Sequence, residues 1–176
     1  MPFVSFLGED DTLEHIMRRE PARYRPFVAF AQQVLAGPSA LSAGERELLG
    51  AFVSALNGCA YCTGTHSAAA KAHGVDGKLV EALIADPAAM AAPARLRPLL
   101  AYARKLTQAP ARLVQADADA VFAAGWDEQA LSDVVAITAL FAMANRLVDG
   151  HGVKGLPPAM NDMVGAYIAE RGYVLP

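Results

Sequence analysis

Alanine and leucine recur at helical spacing through almost the whole chain, and this periodicity constrains the fold more than any other feature. Strand signals are nearly absent, because few segments alternate apolar and polar residues and no hairpin dipeptide separates β-branched runs. The sequence therefore predicts a compact, multi-helix, all-α fold. The expected helices are roughly Thr12–Arg19, Pro21–Ala36, Ala43–Asn57, Ala60–His73, Lys78–Ala85, Ala92–Thr107, Ala116–Ala124, Asp127–Val148 and Pro158–Arg171.

Length and composition limit the domain count, the partners and the compartment. A chain of 176 residues predicts one domain over 1–176, and an apolar fraction of 54% favours a homo-oligomer. A net charge of −3 with scattered Lys and Arg creates no field that would attract nucleic acid. The N-terminus lacks a signal-peptide pattern, and the longest apolar run, Val134 to Ala144, is too short to span a bilayer. We therefore expect a cytoplasmic protein with neither a nucleic-acid nor a membrane partner.

A capping-box pattern marks the start of the helix that carries Glu47. Ser42 stands three residues before Glu45 at the head of an apolar run, so this helix is predicted to begin near Ala43. On a helical wheel Glu47 lies opposite the large apolar residues, on a face of small residues that would let another helix approach. Glu47 is then either a buried carboxylate that needs a partner or a solvated residue near a helix start.

Two cysteines and a histidine follow that helix. Asn57 and Gly58 are predicted to end it, which places Cys59 at the next helix start, where free amides and the helix dipole stabilise a thiolate. Cys62 would share one side of the first turn with Cys59, at a separation that permits a reversible disulfide. His66 lies one turn after Cys62, where its imidazole can accept the thiol proton. The pattern predicts a redox-active thiol pair served by a base.

A weaker pattern concerns the later part of the chain. Asp133 and Asn145 repeat the twelve-residue spacing of Glu47 and Cys59 within a similar Ala-rich helix. This echo fits a degenerate internal repeat, although Ala-rich helices resemble one another by composition alone. The methionines are expected to fill the core. The remaining histidines are expected at the surface or at helix ends: His15, His73 and His151.

The chain resembles the alkylhydroperoxidase D family within the carboxymuconolactone decarboxylase-like superfamily, because it contains the spacing Glu-x11-Cys-x2-Cys-x3-His. The residues of this motif are Glu47, Cys59, Cys62 and His66. The resemblance is strong over residues 42–75, the expected core of the domain. It is looser over residues 142–149, which are similar to a helix of the peroxidase-related branch.

The resemblance implies an all-α homo-oligomer that reduces organic hydroperoxides or hydrogen peroxide without a metal, haem, flavin or other cofactor. Carried onto this chain, it makes Cys62 the peroxidatic thiolate, which forms a sulfenic acid that Cys59 resolves into a disulfide. His66 and Glu47 would relay the proton, and an external dithiol or disulfide reductase would reset the pair.

One residue departs from the family pattern. The position between the cysteines holds Tyr61, where the best-known member of the family has a histidine. Tyrosine is a poor base near neutral pH, so proton transfer at Cys59 is expected to be slower or to use water. The sister branch of lactone decarboxylases lacks the cysteine pair, so that reaction is not expected here.

Two alternative functions remain open at the level of the sequence. In a zinc-binding module, Cys59, Cys62 and His66 would supply three ligands and His73 a fourth, although ligands along one short helix converge poorly on a tetrahedron. A non-catalytic, stress-related scaffold would keep the family's helices without the reaction. A thioredoxin-like fold would require strands around the cysteines, and the sequence predicts none.

Overall fold

Helices make up the regular structure of residues 1–173, the part of the chain that the computed structural model describes, and no strand occurs in that range. The all-α prediction is therefore confirmed. The helices are α1 (Leu13–Arg19), α2 (Pro21–Ala36), α3 (Ala43–Leu56), α4 (Ala60–Ala72), α5 (Gly77–Ala85), α6 (Arg97–Gln108), α7 (Gln115–Ala123), α8 (Glu128–Gly150) and α9 (Pro158–Arg171), with a 3-10 helix at Pro110–Arg112.

Helix α3 begins where the capping box placed it. The Ser42 hydroxyl accepts from the amide of Glu45 at 3.2 Å, and the Glu45 carboxylate accepts from the amide of Ser42 at 2.8 Å. From Arg46 to Ser54 every residue of α3 is buried, so the helix is covered on its large apolar face and on its small face alike. This double burial places Glu47 inside the protein, which is one of the two alternatives that the sequence left open.

The start of α6 differs most from the sequence prediction. The helix was expected from Ala92 and begins at Arg97, because two prolines punctuate this segment. Pro98 lies in the first turn of α6, the part of a helix that tolerates proline, whereas Pro93 falls in the turn that precedes it. A helix starting at Ala92 would have carried Pro98 in its interior.

Helix α9 packs closely on α4, the helix that carries the cysteines. Gly165 makes this approach possible, because a Cβ at that position would lie 2.6 Å from the carbonyl carbon of Ala68 and 2.7 Å from the amide of Ala69. Both neighbours are backbone atoms, which cannot move aside as a flexible side chain can. The contact therefore fixes where α9 runs and where the chain continues beyond it.

Helix α8 crosses the centre of the fold and packs on α3, α6 and α2. Its length and mean hydropathy of 1.5 would let it span a membrane by composition alone, yet its inner face is part of the hydrophobic core. Val134, Ile137, Phe141 and Val148 are almost fully buried there. The run from 134 to 144 is thus part of a core helix, as expected. The internal repeat stays a prediction.

Candidate active site

The two cysteines lie at the start of α4. Cys59 is the N-cap residue with extended backbone angles, and Cys62 follows in the first turn. Both are free thiols, and they are 0% and 1% exposed. The helix therefore begins where Asn57 and Gly58 predicted, and it brings the two thiols together in a site closed to bulk solvent.

Each thiol has the largest effect on the pKa of the other. The interaction with the Cys62 thiol lowers the pKa of Cys59 below its usual value, with burial and the nearby Asp149 carboxylate opposing. The same interaction raises the pKa of Cys62 far above the usual range, and burial adds to the increase. Of the two thiols, Cys62 therefore holds its proton more firmly, and it is the sulfur to which the family resemblance assigns the attack.

Glu47 and His66 form a buried pair between α3 and α4. Nδ1 of His66 lies 2.7 Å from Oε2 of Glu47, and the two side chains are 12% and 1% exposed. The edge-on ring of Phe141 contacts the imidazole, with the ring centroids 4.5 Å apart. Of the two readings that the sequence allowed for Glu47, the structure shows the buried carboxylate with a partner. A carboxylate on Nδ1 leaves Nε2 of a neutral imidazole free to accept a proton.

A polar network from α8 reaches the cysteines. The amide of Asn145 interacts with the Cys62 sulfur, which acts to lower the pKa of that thiol against the larger opposing effects. Asn145 also donates to the Ser54 hydroxyl at 3.0 Å and accepts from the Asn57 side chain at 2.8 Å. These bonds hold the Asn145 amide in a fixed orientation beside the thiols.

Asn145 was noted in the sequence for its spacing and within the resemblance over residues 142–149, but it was not placed in the site. Asp149, which lies one turn further on in α8 and acts on Cys59, was noted only within that resemblance. The looser resemblance over residues 142–149 was the signal that could have identified them. Tyr173, whose hydroxyl lies 2.6 Å from Oε1 of Glu47, was missed altogether.

Tyr61 lies between the cysteines in sequence and holds its phenol proton firmly. Burial raises its pKa to about 12, while interactions with the Thr12 side chain and the Leu13 backbone act in the opposite direction. A phenol that holds its proton so firmly is no base near neutral pH. The phenol therefore lies near Thr12 and Leu13, at the start of α1.

The other histidines lie at helix ends, as predicted. His15 accepts from the amide of Thr12 at the start of α1, His73 is the C-cap residue of α4, and His151 is the C-cap residue of α8. Among residues 1–173, no three His, Cys, Asp or Glu side chains are placed to hold one metal ion. The arrangement therefore gives the zinc alternative no support.

The fold and this site define an all-helical protein with a buried dithiol at the start of α4. An acid–base pair adjoins it, with His66 one turn further along α4 and Glu47 on α3. The carboxymuconolactone decarboxylase family matches residues 21–105, which run from α2 into α6. Among curated proteins, no significant match to the sequence was found.

Solved structures with the same fold include two peroxidase-related proteins. One, from Silicibacter sp. TM1040, is 28% identical with a TM-score of 0.78, over 85% of this chain and 78% of that one. The other, an alkylhydroperoxidase AhpD core protein from Ralstonia eutropha JMP134, is 25% identical with a TM-score of 0.78, over 86% and 78%. The chain is thus similar to the carboxymuconolactone decarboxylase family over residues 21–105, and to peroxidase-related, alkylhydroperoxidase D-like proteins over most of its length.

A third structure shows that the fold also serves other chemistry. A variant of the debrominase Bmp8, in complex with 2,3,4-tribromopyrrole, has a TM-score of 0.73 over 86% of this chain and 81% of that one. Its sequence is only 19% identical, so the likeness extends to the fold alone.

Proposed function

We propose that this protein is a thiol-dependent peroxidase that reduces organic hydroperoxides or hydrogen peroxide through a dithiol–disulfide cycle of Cys59 and Cys62. The observation that carries the proposal is the buried Glu47–His66 pair, 2.7 Å apart, in which His66 lies on the helix that begins at the buried pair of free thiols. The peroxidase-related neighbours support a peroxidase-like, oxidoreductase role at the level of the family.

The cycle begins at Cys62. Its thiolate attacks one peroxide oxygen, the S–O bond forms as the O–O bond breaks, and the alcohol or water leaves with a proton from the imidazolium of His66. The product is a sulfenic acid on Cys62. Cys59 then attacks that sulfur, which forms the disulfide and releases water. An external dithiol or disulfide reductase returns both electrons, and a reducing cytoplasm would supply such a donor.

The raised pKa of Cys62 explains why this site would need a base. A thiol that keeps its proton is a poor nucleophile, so attack by Cys62 requires that the proton first move to a neighbouring group. His66 lies one helical turn further on, and the imidazolium that it becomes is stabilised by the carboxylate of Glu47. The Asn145 amide would stabilise the thiolate that remains.

The proposal predicts fast and stoichiometric thiol loss. Fully reduced protein mixed with cumene hydroperoxide or hydrogen peroxide should lose both thiols of each chain, at a rate about a hundredfold above that of the same cysteines in denatured protein. The remaining thiols are counted with a chromogenic disulfide at timed intervals. Denatured protein at the same pH is the matched control, because it has the same thiols without the site.

A slow loss, equal in folded and denatured protein, would contradict the proposal and favour the non-catalytic scaffold. Stoichiometric zinc in protein purified without added metal would favour the metal-binding module instead. If the fast loss is found, a panel of dithiol donors in a coupled assay identifies the reductant.

The homo-oligomer also stays a proposal, and the exposed face of α9 is our candidate for its interface. Met160, Met163 and Tyr167 follow one another at helical spacing on that face, and 45%, 67% and 43% of their surfaces are exposed. The prediction that methionines fill the core is wrong for four exposed residues: Met1, Met143, Met160 and Met163. We expect sedimentation equilibrium at micromolar concentration to give a mass above 18.5 kDa. A monomeric mass would contradict the proposal.

A further inference from the structure

The carboxylate of Glu47 has two buried oxygens, and two different groups satisfy them. Oε2 faces Nδ1 of His66 at 2.7 Å, and Oε1 faces the hydroxyl of Tyr173 at 2.6 Å. Because Glu47 is 1% exposed, water cannot replace either partner without a rearrangement. The hydroxyl of Tyr173 is also 3.3 Å from Nδ1 of His66, and the two rings are nearly parallel, 15° apart.

The direction of the bond from Tyr173 is fixed by its surroundings. Burial raises the pKa of Tyr173 well above its usual value, and the charges of Glu47 and Cys62 raise it further, while Arg46 acts in the opposite direction. The phenol therefore keeps its proton, and it can only donate to the carboxylate.

The chain holds Tyr173 in place beyond the end of α9. Gly172 has a positive φ of 68°, and a Cβ there would lie 2.6 Å from Oε1 of Gln32. That oxygen of Gln32 accepts from the backbone amide of Tyr173 at 2.6 Å. A glycine that permits the turn and a side chain of α2 that binds the backbone thus direct the phenol into the Glu47–His66 pair.

We infer that Tyr173 is a positioning residue of the proton relay, which holds Glu47 so that Glu47 keeps the proton of neutral His66 on Nδ1. The inference rests on the proposed role of His66 as the base for the thiol. With Nδ1 bonded to the carboxylate, Nε2 is the nitrogen left to accept a proton. Without the phenol, Oε1 of Glu47 would be buried and unpaired, so the carboxylate would rotate or take up a proton. Nδ1 of His66 would then lose its fixed acceptor, and the imidazole would populate both tautomers.

Tyr173→Phe tests the inference, because it removes only the hydroxyl and keeps the ring beside His66. Tyr102→Phe is the matched control, since Tyr102 is a half-buried tyrosine of α6 that belongs neither to the Glu47–His66 pair nor to the candidate interface. Nitrogen NMR of histidine-labelled protein, with His66→Gln to assign the signals, reports the tautomer directly. We expect a single tautomer in the wild type and the control, and a mixture in Tyr173→Phe.

A second measurement follows the thiols without peroxide. The rate of alkylation by iodoacetamide, measured across pH, should fall about tenfold near neutral pH in Tyr173→Phe, the effect of losing one hydrogen bond to a charged group, and its pH profile should shift. Thermal unfolding monitors the fold of each variant. If Tyr173→Phe proves unstable, Gln32→Ala, which frees the backbone of Tyr173, should shift the same two readouts in the same direction.

Unchanged His66 signals together with an unchanged alkylation profile in folded Tyr173→Phe would overturn the inference. Neither measurement uses peroxide, so a failure of the proposed peroxidase activity is recognised separately. If the protein lacks peroxidase activity but the tautomer change is found, Tyr173 remains a positioning residue and only the proposed peroxidase function is refuted.

Discussion

Replacing Cys62 by serine should abolish the fast consumption of peroxide, whereas replacing Cys59 should allow one turnover and then stop. In Cys62→Ser the sulfur that is proposed to attack the peroxide is gone, and peroxide does not oxidise a serine hydroxyl. In Cys59→Ser the attack still occurs, but no second thiol resolves the sulfenic acid on Cys62. Mass spectrometry after trapping with a dione reagent should locate that acid.

The opposite result has a definite physical meaning. The pKa of Cys59 is lowered and that of Cys62 is raised in the resting pair, so the sulfur that first carries negative charge is the one at the N-cap. A trapped sulfenic acid on Cys59 in Cys62→Ser, with no acid on Cys62 in Cys59→Ser, would show that Cys59 attacks the peroxide without His66 as its base. The roles implied by the family resemblance would then be reversed.

The parts of the site that lie close together in sequence could be predicted from it. The capping box at Ser42 predicted the start of α3, and helical periodicity placed Glu47 on a face of small residues, although it left the burial of that face open. Within α4, the three- and four-residue spacings set Cys59, Cys62 and His66 at the helix start and one turn beyond. Local hydrogen bonding and periodicity decide such features, and both can be read from a few consecutive residues.

The parts that come from distant segments could not be predicted in the same way. Asn145 reaches Cys62 because α8 packs on α3, and Tyr173 reaches Glu47 because α9 approaches α4 at Gly165 and the chain then turns at Gly172. Those placements depend on which helices pack together and at what distance, which no local pattern specifies. A tyrosine near the end of the chain has no spacing that relates it to a glutamate in α3.

Glu47→Gln should lower the rate of peroxide-driven thiol loss about a hundredfold while the fold remains intact. The amide has nearly the volume of the carboxylate, and its oxygen can still accept from Nδ1 of His66, so the packing around a residue of 1% exposure is preserved. The negative charge is lost, and the imidazolium that forms when His66 takes the thiol proton is no longer stabilised. Stopped-flow measurement of thiol loss at several pH values gives the rate.

The matched control for this variant is Glu81→Gln, the same chemical change on α5, where the side chain is 72% exposed. It should leave the rate of thiol loss unchanged. Both variants should still form the Cys59–Cys62 disulfide when a thiol-specific oxidant is added, because neither substitution changes a cysteine. If Glu47→Gln keeps the wild-type rate, the charge of Glu47 plays no part in the attack. The thiolate would then form within the cysteine pair itself, where the interaction with Cys62 lowers the pKa of Cys59.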